Sequence, residues 1–314
     1  MLRFVTKNIG VAILQIYIVA TIVFLLLRLM PGDPAVLVLG TERGADPEAV
    51  AAMRTTLGLD QPLVTQYFGW MADIARFDFG QSLFNNIEVT TYIAERLPKT
   101  LELAIAGIII GAIIGITLGI SAAVKRGSFI DMIVSTISAA GMSFPVYVTG
   151  TAFILLISLQ LNWLPASGYT NLSDDPIKHF QRLILPAITV SLPLAASIAR
   201  MTRSSMLEVL GKDFVQTLRA KGMSEKLIVF RHVLRNAIIS VITVIGLELA
   251  NLIGGTVLVE FLFNWPGLST LLVDAINNRN YPIIQGSIIV IAAFYILINR
   301  TVEIIYGLMD PRTR

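Results

Sequence analysis

The chain has 314 residues, 55% of them apolar and only 14% charged, with a formal net charge of +3. Soluble domains carry roughly 45–50% apolar and about 25% charged residues, so this composition describes a surface facing lipid, and the small, scattered charge excludes a nucleic-acid binder. The lack of cysteine removes thiolate metal sites, disulfides and cysteine catalysis, and two histidines far apart in sequence, His179 and His232, leave no histidine cage for a metal.

The first apolar run covers residues 9–27, behind Arg3 and Lys7. Nineteen residues span about 29 Å, enough for the hydrocarbon core of a bilayer. No small-residue cleavage pattern follows, so the run is expected to be a retained first transmembrane helix. Residues 31–99 then carry nine acids against five bases. Within them Asp46-Pro47-Glu48, closed by Gly58, has the signals of one helix, and Asp60-Gln61-Pro62 opens a second through Tyr67, Trp70 and Met71. A small external helical domain is expected here.

Five further apolar stretches follow, at about 101–124, 129–161, 183–198, 237–259 and 283–298. Lipid cannot satisfy free backbone groups, so each must be helical. The stretch at 129–161 is too long for one straight span and contains Pro145; the one at 183–198 is short and holds Pro186 and Pro193. The expected fold is an all-α polytopic membrane protein of about six transmembrane helices. Its expected parts are a first helix at 1–30, the external domain at 31–99 and a core permease domain at 100–314. With the N-terminus inside, short cytoplasmic segments hold 14 Lys and Arg and short external ones three. Both termini are therefore expected in the cytoplasm.

Single positions stand out within the spans. Gly107, Gly111, Gly115 and Gly119 recur every four residues, a bare stripe suited to close helix packing. Glu248 lies near the middle of the fifth span, where a carboxylate costs at least about 2.5–3.5 kcal/mol and must face a cavity or a partner. It reads equally as a pathway residue touching a cationic cargo group and as a structural acid. Ser143 and Pro145, in Gly141-Met142-Ser143-Phe144-Pro145, mark either a plain kink or a broken helix lining a pathway. Arg28 and Arg300 sit near span ends, where long side chains reach the interface.

The segment at 200–236 is the most informative. Asp213 opens a helix through Thr217 and Ala220, with Arg219 and Lys221 in its last turn. Gly222 suits the left-handed residue beyond a helix end. Ser224 can cap a second helix with Glu225 in its first turn, and that helix runs on through Arg231, His232, Arg235 and Asn236. Leu227, Phe230 and Leu234 give it an apolar face. By charge alone this is an amphipathic loop on the cytoplasmic membrane surface.

The ordered pattern resembles the cytoplasmic coupling loop of binding-protein-dependent ABC importer permeases, in the first-subunit branch of the dipeptide, oligopeptide and nickel family. Other segments match that branch in order: Pro31-Gly32-Asp33-Pro34, Leu57-Gly58-Leu59-Asp60-Gln61-Pro62-Leu63, Phe79-Gly80-Gln81-Ser82, Arg96-Leu97-Pro98, Trp163-Leu164-Pro165-Ala166-Ser167-Gly168, Trp265-Pro266-Gly267-Leu268 and Met309-Asp310-Pro311-Arg312. Leu218 and Ser240 depart from the family's usual alanine and proline. The resemblance implies the type I ABC importer permease fold in a bacterial inner membrane and uptake of di- or oligopeptides, or of nickel complexes, glutathione or opines. It also implies a homologous second permease, two cytoplasmic ATPases seated on residues 213–236, and an extracytoplasmic solute-binding protein. The chain has no G-x-x-x-x-G-K-[ST] segment, so ATP and Mg are expected in the partner ATPases and no cofactor, catalytic residue or metal site in this subunit. A different class, an ion-coupled secondary transporter relaying protons through Glu248, would need no ATPase.

Overall fold

The computed structural model describes residues 2–29, 33, 35, 36, 39 and 46–309. Most of Pro31-Gly32-Asp33-Pro34 and of Met309-Asp310-Pro311-Arg312, and the basic residues Arg312 and Arg314, lie outside the described residues. Helix α1 spans Leu2–Leu29, α2 Pro47–Thr56, α3 Leu63–Ala75 and α4 Val89–Val124. Then come α5 (Phe129–Ser143), α6 (Val146–Phe153, extended by a π-helical segment Ile154–Gln160), α7 (Pro176–Leu210) and α8 (Asp213–Ala220). The chain continues as α9 (Glu225–Leu227), a π-helical segment Ile228–Val233, α10 (Leu234–Gly255), α11 (Val257–Leu262), α12 (Leu268–Asn277) and α13 (Tyr281–Met309).

Among the described residues five helices are long and apolar enough to cross a membrane, and the bent pair α5 and α6, taken as one broken span, makes six. Its halves meet at 103°. Phe144 and Pro145 are both extended at the break, because a residue before proline is pushed out of the helical region and proline has no N–H to donate. The short proline-bearing stretch at 183–198 is part of the 35-residue helix α7, which keeps Pro186 and Pro193 inside it. Around them Thr189 and Ser191 hydroxyls donate to the carbonyls of Leu185 and Ile188 (2.8 Å each). Helix α4 likewise starts well before its apolar run and absorbs Pro98.

The chain forms two compact units. One comprises 9–99 and 266–296. In it Asp46 caps α2 by accepting from the Glu48 amide (3.0 Å), and Gly58 turns the chain with φ +63°. Phe24 is buried against Tyr67 and Trp70. Arg28 stacks over Phe24 and donates to Gln66 Oε1 (3.0 Å), an anchorage inside the protein where the sequence pointed to the lipid interface.

The second unit comprises 1–8, 100–265 and 297–314. Its core gathers Leu103 and Ile108 of α4, Leu185, Val190 and Ile198 of α7, and Phe263 and Trp265. The glycine stripe explains how α4 and α7 come so close. A Cβ at Gly115 would lie 2.7 Å from the Ala195 carbonyl and from Ile198 Cβ; at Gly119 it would lie 2.5 Å from Thr202 Cβ. The stripe is a packing surface for α7.

Candidate functional site

The loop after α7 is built from the end of that helix outward. Lys212 is extended and leads into α8. The turn after α8 is a Schellman closure: Gly222 N donates to Arg219 O (2.9 Å) and Met223 N to Leu218 O (3.2 Å). Gly222 has φ +76°, the left-handed conformation that closure requires. Arg219 Nε meets Glu225 Oε1 at 2.7 Å across the turn, and that contact raises the Arg219 pKa. Val215, Ile228, Val229 and Val233 pack with Met206 and Val209 of α7 and Ala123 of α4. This seats the loop on its own unit.

Its outward face carries Asp213, Thr217, Ala220, Gly222, Ser224, Glu225, Arg231, Arg235 and Asn236, all exposed, with His232 half-buried. Two details differ from the sequence reading. Ser224 occupies the cap position, yet its hydroxyl makes no capping bond. Leu227 and Phe230 are exposed, and the buried positions are Ile228, Val229 and Val233. The cause is the π-helical segment: its wider turn moves the buried stripe off the three-and-four spacing of an α-helix. Phe214, Leu227 and Phe230 are left on the surface.

Glu248 of α10 lines a cavity of about 250 Å³ with Met142, Val146, Pro193, Ser197 and Asn251. It is half-buried and has no ion-pair or hydrogen-bond partner among the described residues. Ser143 and Pro145 form the α5–α6 break beside Met142 and Val146 but do not line this cavity; the Ser143 hydroxyl donates back to Ala139 O (2.9 Å). On α13, Arg300 pairs with Glu303.

A polar cluster in the same unit carries no sequence signal. Glu260 is fully buried and accepts from the hydroxyls of Thr100 (2.8 Å) and Thr256 (3.0 Å). His179, equally buried, has Nδ1 2.7 Å from the Thr170 carbonyl and Nε2 2.6 Å from Glu102 Oε1. A carbonyl can only accept, so Nδ1 donates to it, and Nε2 faces the Glu102 carboxylate. Tyr169 sets its ring edge-on to Trp265 at 4.7 Å. Burial first, then the Glu102 carboxylate, raises the Tyr169 pKa. Only the tertiary fold brings these residues together; nothing in their spacing announces it.

Together, the broken span, the stapled loop and the apolar helices describe a polytopic α-helical membrane subunit. The same fold occurs in the inward-facing MetNI methionine ABC transporter, with TM-score 0.59 and 17% identity over 70% of this chain and 96% of that one. An amino acid ABC transporter matches with TM-score 0.52 and 16% identity over 71% of this chain and 94% of that one. Residues 115–314 match the family model described as binding-protein-dependent transport system inner membrane component, and residues 1–104 match its N-terminal companion. The chain belongs to this family: it is a multi-pass inner-membrane permease of a binding-protein-dependent ABC importer. It is 43% identical, over 94% of both chains, to a probable peptide ABC transporter permease protein, y4tP, of Sinorhizobium fredii. It is 42% identical to the di/tripeptide transport system permease protein DppB of Pseudomonas aeruginosa, over 100% of this chain and 99% of that one. It is 40% identical to the glutathione transport system permease protein GsiC of Salmonella typhi, with the same coverage.

Proposed function

We propose that this permease carries di- or oligopeptides, with glutathione as a peptide-like alternative, and that it forms half of the pathway beside a homologous second permease. The full-length likeness to permeases named for peptides and for glutathione supports that cargo. Residues 31–99 would lie outside, with both termini in the cytoplasm. An extracytoplasmic solute-binding protein delivers the cargo, and two cytoplasmic ATPases supply the energy. Nickel complexes and opines are the remaining cargo alternatives.

The observation that carries the coupling role is the α8–Gly222–α9 turn. Its apolar side is seated on α4 and α7, while Phe214, Leu227 and Phe230 face outward. Apolar side chains held out on a rigid, stapled turn suit a groove on a partner protein. Motion of an ATPase would then pass directly into α7 and α10, which flank the turn.

The test is Gly222→Pro. Proline cannot adopt φ +76°, so the closure after α8 is lost. A Cβ at Gly222 would meet nothing within 4 Å, so the defect is confined to the turn. The variant should insert into the membrane and lose most co-purifying ATPase. Unchanged complex yield together with unchanged ATP-driven uptake would refute the coupling assignment.

A further inference from the structure

We propose that the groove between α5 and α7 holds a second, cationic subsite centred on Arg200, which takes the carboxylate end of a passing peptide while Glu248 takes the ammonium end. The proposal rests on the peptide reading above and adds a recognition element to it.

Beyond the Glu248 cavity, α5 and α7 enclose another of about 240 Å³, lined by Ser135, Ser138, Ala139, Ala199, Arg200 and Arg203. The first is lined from α5, α6, α7 and α10 and the second from α5 and α7. Ser197 lines the first, and Ala199 and Arg200 line the second.

The two arginines differ in their charge balance. Arg203 is held by Asp131 through two bonds, Nε to Oδ1 at 2.5 Å and Nη2 to Oδ2 at 2.9 Å. Asp131 is fixed in turn by the Gly127 amide (2.9 Å), so this cation is balanced within the protein. Arg200 is exposed and has no ion pair or hydrogen bond among the described residues. Ser138 is only 6% exposed, lines the cavity and also has no hydrogen-bond partner among them. A guanidinium and a hydroxyl converging on one small cavity form a site for a carboxylate.

Spacing fits the other end of the ligand. Along α7, which lines both cavities, Arg200 follows Val190 and Ser197 by roughly 5–15 Å at about 1.5 Å rise per residue. An extended peptide covers at most about 3.3–3.6 Å per residue. Two to four residues would bridge an acid at one end and a base at the other. A lipid phosphate needs only the cation and leaves Glu248 without a role.

The experiment uses the complete complex with its ATPases and binding protein in liposomes, normalised to assembled complex. A tripeptide is supplied as the free acid and as the C-terminal amide. Relative to wild type, Arg200→Gln should lower free-acid uptake about tenfold and amide uptake far less, and Arg200→Lys should restore much of the loss. Free-acid uptake at the wild-type rate in Arg200→Gln overturns the subsite alone. A wild-type complex that hydrolyses ATP in response to its loaded binding protein but moves no peptide overturns the peptide reading as well. A deficit that appears with phosphatidylglycerol and vanishes in phosphatidylcholine assigns the cavity to a lipid headgroup and also overturns the subsite. The subunit has no cysteine, so Ser138→Cys introduces its single thiol. Compared with a free thiol in solution, that thiol should react faster with an anionic than with a cationic methanethiosulfonate, and Arg200→Gln should erase the preference. Equal relative rates with Arg200 intact overturn the proposal.

Discussion

Two groups of ionisable side chains in the same compact unit differ in whether the protein itself supplies their partners. Glu260, His179 and Glu102 are matched: each sits against a hydroxyl, a carbonyl or one another within about hydrogen-bond range, and aromatic rings close around them. Glu248 and Arg200 line cavities and have no partner among the described residues. Glu260 and His179 are fully buried, Glu248 is half-buried and Arg200 is exposed; an unmatched charge is costly where water is excluded. Retaining an unmatched one is sensible where water or a ligand supplies the counter-group. We therefore read the matched groups as structural and propose that Glu248 and Arg200 serve transport.

The largest effect should come from the matched side. Glu260→Ala opens a cavity and leaves the buried hydroxyls of Thr100 and Thr256 without their acceptor. A cost of about 2–5 kcal/mol follows from the two effects together. Melting of the detergent-solubilised permease should drop sharply, with poor recovery of assembled complex. An unchanged melting temperature would mean that the cluster is not a scaffold.

His179→Phe comes next. Phenylalanine keeps a flat ring beside Tyr169 and Trp265 but removes both ring nitrogens, leaving the Thr170 carbonyl and Glu102 without that neighbour. Destabilisation of about 1–3 kcal/mol is expected. Glu102→Gln combined with His179→Phe should cost less than the sum of the single changes, because the two residues share one contact. Strict additivity would mean that the two side chains do not interact.

How much of this was legible in the sequence depends on the range of the physics involved. Helix signals that act within one turn were readable: Asp46 and Pro47 opened α2, Gly58 closed it, and Gly222 marked the turn after α8. The glycine stripe was readable because a helix repeats its face every three to four residues, and the structure sets α7 against it. The buried stripe after Ser224 was misplaced because local composition does not announce a π-helical turn. The Glu102–His179 and Asp131–Arg203 contacts were not readable, since they join residues far apart in sequence through tertiary packing. Glu248 was singled out by hydropathy alone, and the sequence left its role open. Arg200 passed as one basic residue among eight between Arg200 and Arg235, because only the cavity distinguishes it.

The smallest effect on stability is expected at Glu248, and this makes it the sharpest test of the comparison. Glu248→Gln preserves size and hydrogen-bonding capacity and removes only the charge. With no partner to abandon, the change should shift stability by no more than about 0.5 kcal/mol. Uptake of peptides with a free ammonium group should nevertheless fall, by roughly tenfold if the lost interaction is worth about 1.4 kcal/mol. Glu248→Ala separates the remaining possibility. If the carboxyl were a protonated strut between helices, glutamine would be nearly silent in uptake, while alanine would impair assembly by opening space and stripping a partner. If it serves the pathway, both variants should assemble like wild type and both should transport poorly, since each lacks the charge that meets the cargo. Uptake per assembled complex, measured for both variants with one cationic and one N-acetylated peptide, decides between these patterns. Normal uptake from glutamine with failed assembly from alanine would move Glu248 into the matched group and leave Arg200 without its counterpart.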